Sequence, residues 1–146
     1  MEITYREMTR ADHDAVLDMM RAFYTSPAVA SDGSEEIYRS DIEACLDSET
    51  PLSGYVFESD SMCVGYAMCA HSFSTEYGRA CIWIEDLYLK PEARGQGVGK
   101  RFLTELTAAY PAAILRLEAE TENAPAVHVY RSVGFEDVPY LELWRR

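Results

Sequence analysis

The sequence predicts an α/β chain of the α+β kind, with a mixed, mostly antiparallel central sheet of six to seven strands and helices on both faces. Three observations carry that prediction. Strand-like stretches follow one another between residues 54 and 89 with only short turns between them, so they pair as an antiparallel meander. A strand-helix-strand run over residues 80–119 needs a crossover, and therefore one parallel pair. Apolar stripes at helical spacing stand both before and after the meander, which covers the sheet on each side.

Taken in order, Ile3, Tyr5 and Met8 alternate as a first strand. Thr9-Arg10-Ala11-Asp12 supplies helix-starting residues, and Val16, Leu17, Met20 and Phe23 or Tyr24 then recur at helical spacing. Pro27 and Gly33 mark a loop. Ser34 is the N-cap of a second helix, whose inner face carries Ile37, Ile42, Cys45 and Leu46. Pro51 breaks the pattern before strands at 54–58 and 62–73, and Thr75-Glu76-Tyr77-Gly78 turns the chain. Residues 80–89 are the richest in β-formers, and Pro91 ends them. Residues 99–110 form a helix with Phe102, Leu103 and Leu106 on one face, and 114–119 form a strand. A short helix over 125–133 stops at Gly134, and 135–144 supply one or two last strands. There is no repeat or low-complexity tract, so residues 1–146 read as a single domain with one core.

Composition narrows the function. A chain of 146 residues with 48% hydrophobic and 26% charged residues is globular. No apolar run approaches the roughly 20 residues that span a bilayer, and the charged start Met1–Glu7 lacks the order of a signal peptide. A cytoplasmic protein with no membrane partner is expected. Cys45, Cys63, Cys69 and Cys81 and the histidines His13, His71 and His128 show no metal-ligand spacing, so no metal is expected. The net charge of −12 disfavours nucleic acid, and suits a cationic small molecule, a basic protein tail or simple solubility. Within this acidic chain, residues 90–101 hold Lys90, Arg94, Lys100 and Arg101 against Glu92 alone, a basic island that fits an anionic ligand.

That island carries the most informative segment, Leu87-Tyr88-Leu89-Lys90-Pro91-Glu92-Ala93-Arg94-Gly95-Gln96-Gly97-Val98-Gly99-Lys100. A strand ends, a loop follows, and a helix starts among alternating glycines. Glycine lets backbone N–H groups approach a ligand, and a helix N-terminus adds free donors and partial positive charge. Together they make a phosphate cradle. The spacing fits neither the Gly-x-Gly-x-x-Gly of dinucleotide-binding folds nor the Gly-x-x-x-x-Gly-Lys-Ser/Thr of nucleotide loops.

Arg94-x-x-Gly97-x-Gly99, after a strand and opening a helix, resembles motif A of the GNAT superfamily of acetyl-CoA-dependent N-acetyltransferases. Downstream, Asn123-x-x-Ala126-x-x-x-Tyr130-x-x-x-Gly134-Phe135 resembles motif B. The stretch Trp83–Gly99, with Glu85-Asp86 before the loop, is also similar to the spermidine/spermine and diamine acetyltransferases, although the N-terminal third shows no such match. The resemblance implies a GNAT fold, and acetyl-CoA as co-substrate. It implies that Leu87, Tyr88 and Leu89 offer backbone groups to the pantetheine arm, with the Leu87 N–H polarising the thioester carbonyl. Arg94, Gly95, Gln96, Gly97, Val98, Gly99 and Lys100 would hold the pyrophosphate, and Asn123, Ala126 and Tyr130 would line the cleft.

An amine acceptor arrives as an ammonium, with a pKa near about 10 for an alkylamine, and must lose a proton before it attacks. Glu85 is the candidate base, through water. Strand alternation puts it with Trp83 and Leu87 and puts Asp86 on the other face with Ile84 and Tyr88, while a bulge would swap the two. Asp86 is the competing base, and His71 a weaker alternative. Tyr130 is the candidate acid for the departing thiolate, as motif B implies, and His128 reads as structural. Asp32, Glu35, Glu36 and Glu76 lie in regions that border the acceptor site in this fold, where they would bind a second ammonium or simply face solvent. Met19, Met20, Phe23 and Tyr24 would be core or acceptor wall.

The leading expectation is acetyl transfer to the primary amine of a small molecule (a polyamine, a diamine or an amino-acid-like compound) by direct attack. A protein N-terminal or lysine acetyltransferase is the alternative within enzymology, and a catalytically silent acyl-CoA sensor the alternative outside it. The apolar run at Tyr140, Leu141, Leu143 and Trp144 would serve a homodimer, or the chain's own core.

Overall fold

The computed structural model describes residues 2–30 and 33–146. Asp32 lies outside the described residues. Five strands form one sheet in the order β1-β2-β3-β4-β5: β1 Thr4–Glu7, β2 Leu52–Ser59, β3 Met62–Ser74, β4 Arg79–Leu89 and β5 Ile114–Leu117. The first three pairings are antiparallel and the β4–β5 pairing is parallel, as the crossover requires. The helices are α1 His13–Tyr24, α2 Glu35–Leu46, α3 Val98–Ala109 and α4 Ala124–Ser132.

Alternation along the strands splits the core in two. Phe57, Ile82 and Ile84 pack with Val98, Phe102, Leu103 and Leu106 of α3. Val56, Tyr66 and Met68 pack on the opposite face with Val16, Met20, Tyr38 and Ile42 of α1 and α2. Phe102 is the keystone of the α3 side: the rings of Tyr5, Phe57 and Tyr55 surround it at 5.1, 5.3 and 5.4 Å. Truncating such a residue to alanine costs about 3–5 kcal/mol.

Helix starts follow local chemistry. Ser34 caps α2 by accepting from the Ile37 N–H at 3.2 Å, and Asn123 caps α4 by accepting from Ala126 N–H at 3.4 Å. At the first corner a short 3-10 turn, Arg10–Asp12, precedes α1, and Asp12 reaches back to the Thr9 N–H at 2.7 Å.

Two expectations are corrected. The sheet has five strands among the described residues rather than six to seven, because 135–144 form no strand. Pro139 lacks the N–H a ladder needs, and Glu142 sits against Glu118, just beyond β5, where two carboxylates oppose pairing. Tyr140, Leu141, Leu143 and Trp144 are consequently 59–84% exposed. The inner face of α2 is also rotated from the expected one. Ile37 is exposed and Tyr38 is buried in its place, while Ile42 is buried as expected.

Candidate active site

The site forms where β4 and β5 part. Parallel pairing covers only Cys81–Ile84 of β4, opposite Ile114–Leu117, so among the described residues the edge of β4 from Glu85 onward has no strand beside it on that side. The parting coincides with a β-bulge: Met68 pairs with Asp86 and Cys69 with Ile84, leaving Glu85 as the extra residue. The resulting cleft, about 100 Å³, is lined by Ile84, Glu85 and Leu87 of β4 and by Leu117, Glu118, Ala119 and Glu120 at the end of β5. Asn123, Ala126 and Tyr130 from the cap and body of α4, Phe23 near the end of α1 and Ala28 in the loop after it complete the wall. A roomier hollow of about 240 Å³ lies beside Met8, Cys45 and Ser53 and holds none of the motif residues.

The bulge revises the expected faces. Ile84 and Leu87, one even and one odd, both pack toward α3, whereas Asp86 turns toward α1 and α2. Glu85 is left at the cleft wall, exposed, with its carboxyl raised above the ordinary range by partial desolvation and then by the neighbouring charge of Asp86. Trp83 does not line the cleft with Glu85; its ring stacks under Arg116 at 4.8 Å.

Asp86 is 4% exposed. Its two oxygens accept from Tyr24 Oη and Tyr66 Oη, each at 2.7 Å. Burial pushes its carboxyl up, against the opposing pull of those two hydrogen bonds. Asp41, half-buried on α2, is raised to about 6 by desolvation and by the charges of Asp86 and Glu85. No Lys, Arg or His stands within ion-pair distance of Glu85, Asp86 or Asp41 among the described residues. Asp41 is a residue that sequence reasoning missed. The available signal was a carboxylate interrupting the apolar stripe Tyr38, Ile42, Cys45.

Tyr130 is half-buried, packs edge-on to Phe135 at 6.1 Å, and has its phenol raised by burial, which keeps it protonated. His128 is exposed, and His71 is occupied by Ser53 Oγ at 2.8 Å. Of the other acidic candidates, Glu35 is engaged by Arg21 at 2.8 Å and Glu76 by the Tyr140 hydroxyl, while Glu36 faces solvent.

The glycine loop fits a pyrophosphate. Gly95 and Gly97 have φ of 74° and 75°, and a Cβ at either would meet nothing within 4 Å, so the space above the backbone is open. Gly97 is the N-cap of α3 and offers no side-chain oxygen; the first helical bond runs from Arg101 N–H to Gly97 at 3.0 Å. The N–H groups of Val98, Gly99 and Lys100 are therefore free for an anion. Arg94 donates to the Leu89 carbonyl at 2.8 Å and stacks on Tyr88 at 5.6 Å, which ties the loop to the end of β4. Gln96 similarly donates to the Glu92 carbonyl at 3.0 Å. Arg101 turns away to the Ile3 carbonyl and does not join the loop. Among the described residues no group of three or more His, Cys, Asp or Glu is arranged to hold a metal ion.

Residues 14–135 match the profile described as the Acetyltransferase (GNAT) family. The chain is 31% identical over 153 residues to a thialysine N-epsilon-acetyltransferase of Bos taurus, covering 97% of this chain and 89% of that one. In structure it is similar to a possible acetyltransferase from Clostridium difficile 630, with TM-score 0.84, 18% identity and coverage of 99% and 97%. It is also similar to a predicted acetyltransferase with acetyl-CoA from Clostridium acetobutylicum, with TM-score 0.76, 18% identity and coverage of 97% and 96%.

Proposed function

We propose, on the premise that this chain belongs to the GNAT acetyltransferase family, that it acetylates the primary amine of a cationic small molecule, using acetyl-CoA as the donor. The chain is an acyltransferase. The observation that carries the finer reading is the parting of β4 and β5 at Glu85, which opens a cleft beside carboxylates that have no counter-cation among the described residues, with the glycine loop following the end of β4. Acetyl-CoA supplies an activated acetyl group as a thioester.

The free N–H groups at the start of α3 hold the pyrophosphate, and Lys100 adds charge there. The backbone of Leu87, Tyr88 and Leu89 receives the pantetheine arm along the open edge of β4, with Asn123 and Ala126 opposite. The ammonium of the acceptor is drawn to Glu85, whose carboxyl, raised by desolvation and by the charge of Asp86, takes a proton more readily than an ordinary glutamate. The amine nitrogen then attacks the carbonyl carbon, and the Leu87 N–H receives the developing oxyanion. The carbon–sulfur bond breaks and Tyr130 gives its proton to the sulfur, then recovers one from the former amine through solvent.

Thialysine, the amine that the bovine relative's name specifies, is a suitable first acceptor. The net charge of −12 also favours a cationic acceptor over nucleic acid. Four free cysteines suit a cytoplasmic setting. The exposed Leu141, Leu143 and Trp144 offer apolar surface to a second copy, and a homodimer by sedimentation that dissociates on Leu141→Ser/Leu143→Ser is expected.

Isothermal titration with acetyl-CoA, with NADH and ATP as controls, tests the donor. Binding of acetyl-CoA alone, followed by thiol release with thialysine, is the expected result. Failure to bind acetyl-CoA would remove the reading, and turnover of peptides alone would move the acceptor to protein.

A further inference from the structure

The end of α1 is held in an unusual way. Residues 20–30 close largely on themselves: Thr25 Oγ1 donates to the Arg21 carbonyl at 2.8 Å, Ser26 Oγ donates to the Phe23 carbonyl at 2.6 Å, and Ala28 N–H donates to Ser26 Oγ at 3.3 Å. Arg21 reaches sideways to Glu35 on α2. Among the described residues, one side-chain hydrogen bond joins this segment to the sheet, that from Tyr24 Oη to Asp86 Oδ1 at 2.7 Å. Met20, Phe23 and Tyr24 pack the segment on the sheet, and the bond to Asp86 is the side-chain hydrogen bond that fixes its register there among the described residues.

Its position matters because Phe23 and Ala28, on either side of that tie, form the wall of the cleft facing Glu85. We propose that Asp86 is a positioning residue for the acceptor: gripped by Tyr24 and Tyr66, it pins the end of α1 against the bulge of β4, and so fixes the wall that receives the amine. The inference rests on the acetyl-transfer reading above. Three facts separate this role from that of a base. Both carboxylate oxygens are already occupied by phenols, the side chain is 4% exposed, and it lies on the face opposite Leu87. Taking a proton from an amine in the cleft would require the residue to release a phenol and cross the strand. Glu85, the bulged residue beside it, has neither obstacle.

The partners have distinct duties. Tyr66 lies within β3, fully buried, and satisfies the inner oxygen. Tyr24 carries the tie to the wall. The rings of Tyr66 and Tyr88 flank Phe23 at 6.4 and 5.8 Å, so a small movement of the helix end repositions Phe23 against them. Tyr88 touches Phe23 from the side of the glycine loop, but neither α3 nor α4 contributes a hydrogen bond to Asp86 or Tyr24.

The test compares Tyr24→Phe, Tyr66→Phe and Asp86→Asn with the unaltered chain, using thialysine and acetyl-CoA as substrates and hydrogen–deuterium exchange over residues 20–30. Tyr24→Phe should raise KM for the amine about five- to tenfold, the scale of one lost hydrogen bond of ordinary strength, with kcat within about twofold. Its affinity for acetyl-CoA should be unchanged and exchange over residues 20–30 faster. Tyr66→Phe should lower Tm instead, with a smaller rise in KM. Unchanged exchange and unchanged KM in Tyr24→Phe would overturn the proposal. So would a collapse of kcat in Asp86→Asn at constant KM and exchange, which would place Asp86 on the reacting amine. If the unaltered chain fails to bind acetyl-CoA or to acetylate thialysine, the acetyl-transfer reading or its acceptor fails, and the exchange measurement still decides the tether.

Discussion

Asp12 and Asp86 are both buried carboxylates, 5% and 4% exposed, and the chain satisfies them in opposite ways. Asp12 takes two N–H groups of Arg6 at 2.8 and 2.9 Å and the Thr9 N–H at 2.7 Å. The Arg6 bonds hold its carboxyl below the ordinary range in spite of burial. Asp86 takes two neutral phenols, and burial pushes its carboxyl up. The first corner is closed, because its charge is neutralised by the chain itself. The second keeps Glu85 and Asp41 in its field, with no cation in ion-pair distance of them among the described residues. Carboxylates gathered without a counter-ion lower stability, and an ammonium that binds there offsets the cost. The contrast is between a buried carboxylate neutralised by a cation of the chain and one held by two neutral phenols.

The largest expected effect probes the second corner. Glu85→Gln should lower kcat by about 10²–10⁴-fold, the range of a general base, without loss of Tm. In the unaltered enzyme, the acid limb of kcat/KM should lie above the roughly 4.3 of an ordinary glutamate, and it should vanish in the variant. Asp12→Asn, at the other corner, should leave that limb in place. Next in size, Tyr130→Phe should lower kcat about 10²-fold while calorimetry shows acetyl-CoA binding as before. Turnover at the original rate would remove Tyr130 as the acid.

Arg6→Met tests the first corner in isolation. It strands a buried carboxylate, and denaturant unfolding should show a loss of about 2 kcal/mol with kcat preserved. A fall in kcat of the same proportion as in Glu85→Gln would dissolve the distinction between the corners.

The smallest effect is in pH dependence, where the corners have opposite signs. Asp41, raised to about 6, holds its proton more tightly folded than unfolded, so stability falls as pH rises from about 4 toward 6. Asp12, lowered, stabilises above its unfolded value near about 3.9, and that contribution is lost as pH falls through its folded value. Scanning calorimetry should therefore show Tm rising modestly from pH 7 to about 5 and dropping below about 4. Asp41→Asn should flatten the upper slope, and Asp12→Asn the lower one. A steady decline from pH 7 downward would contradict the arrangement around Asp86.

The sequence by itself determined the meander, the parallel crossover, the four helices and the place of the glycine cradle. Each of these is written in neighbouring residues: apolar spacing, a cap such as Ser34, a stop such as Pro91, a φ that suits glycine at 95 and 97. It nominated Glu85 and Tyr130, and left Asp86 as a rival to Glu85. Only the tertiary structure set the two carboxylates in different surroundings, because parity along β4 depends on where Met68 and Cys69 pair across the ladder, and one bulged residue reverses it. It alone brought Tyr24 and Tyr66 to Asp86, from 62 and 20 residues away, and set Asp41 in the same field. It also left residues 135–144 without a strand despite their alternation. Local pattern encodes what a segment can form; pairing, register and the charge across the gap belong to two segments at once, and no single stretch of chain contains them.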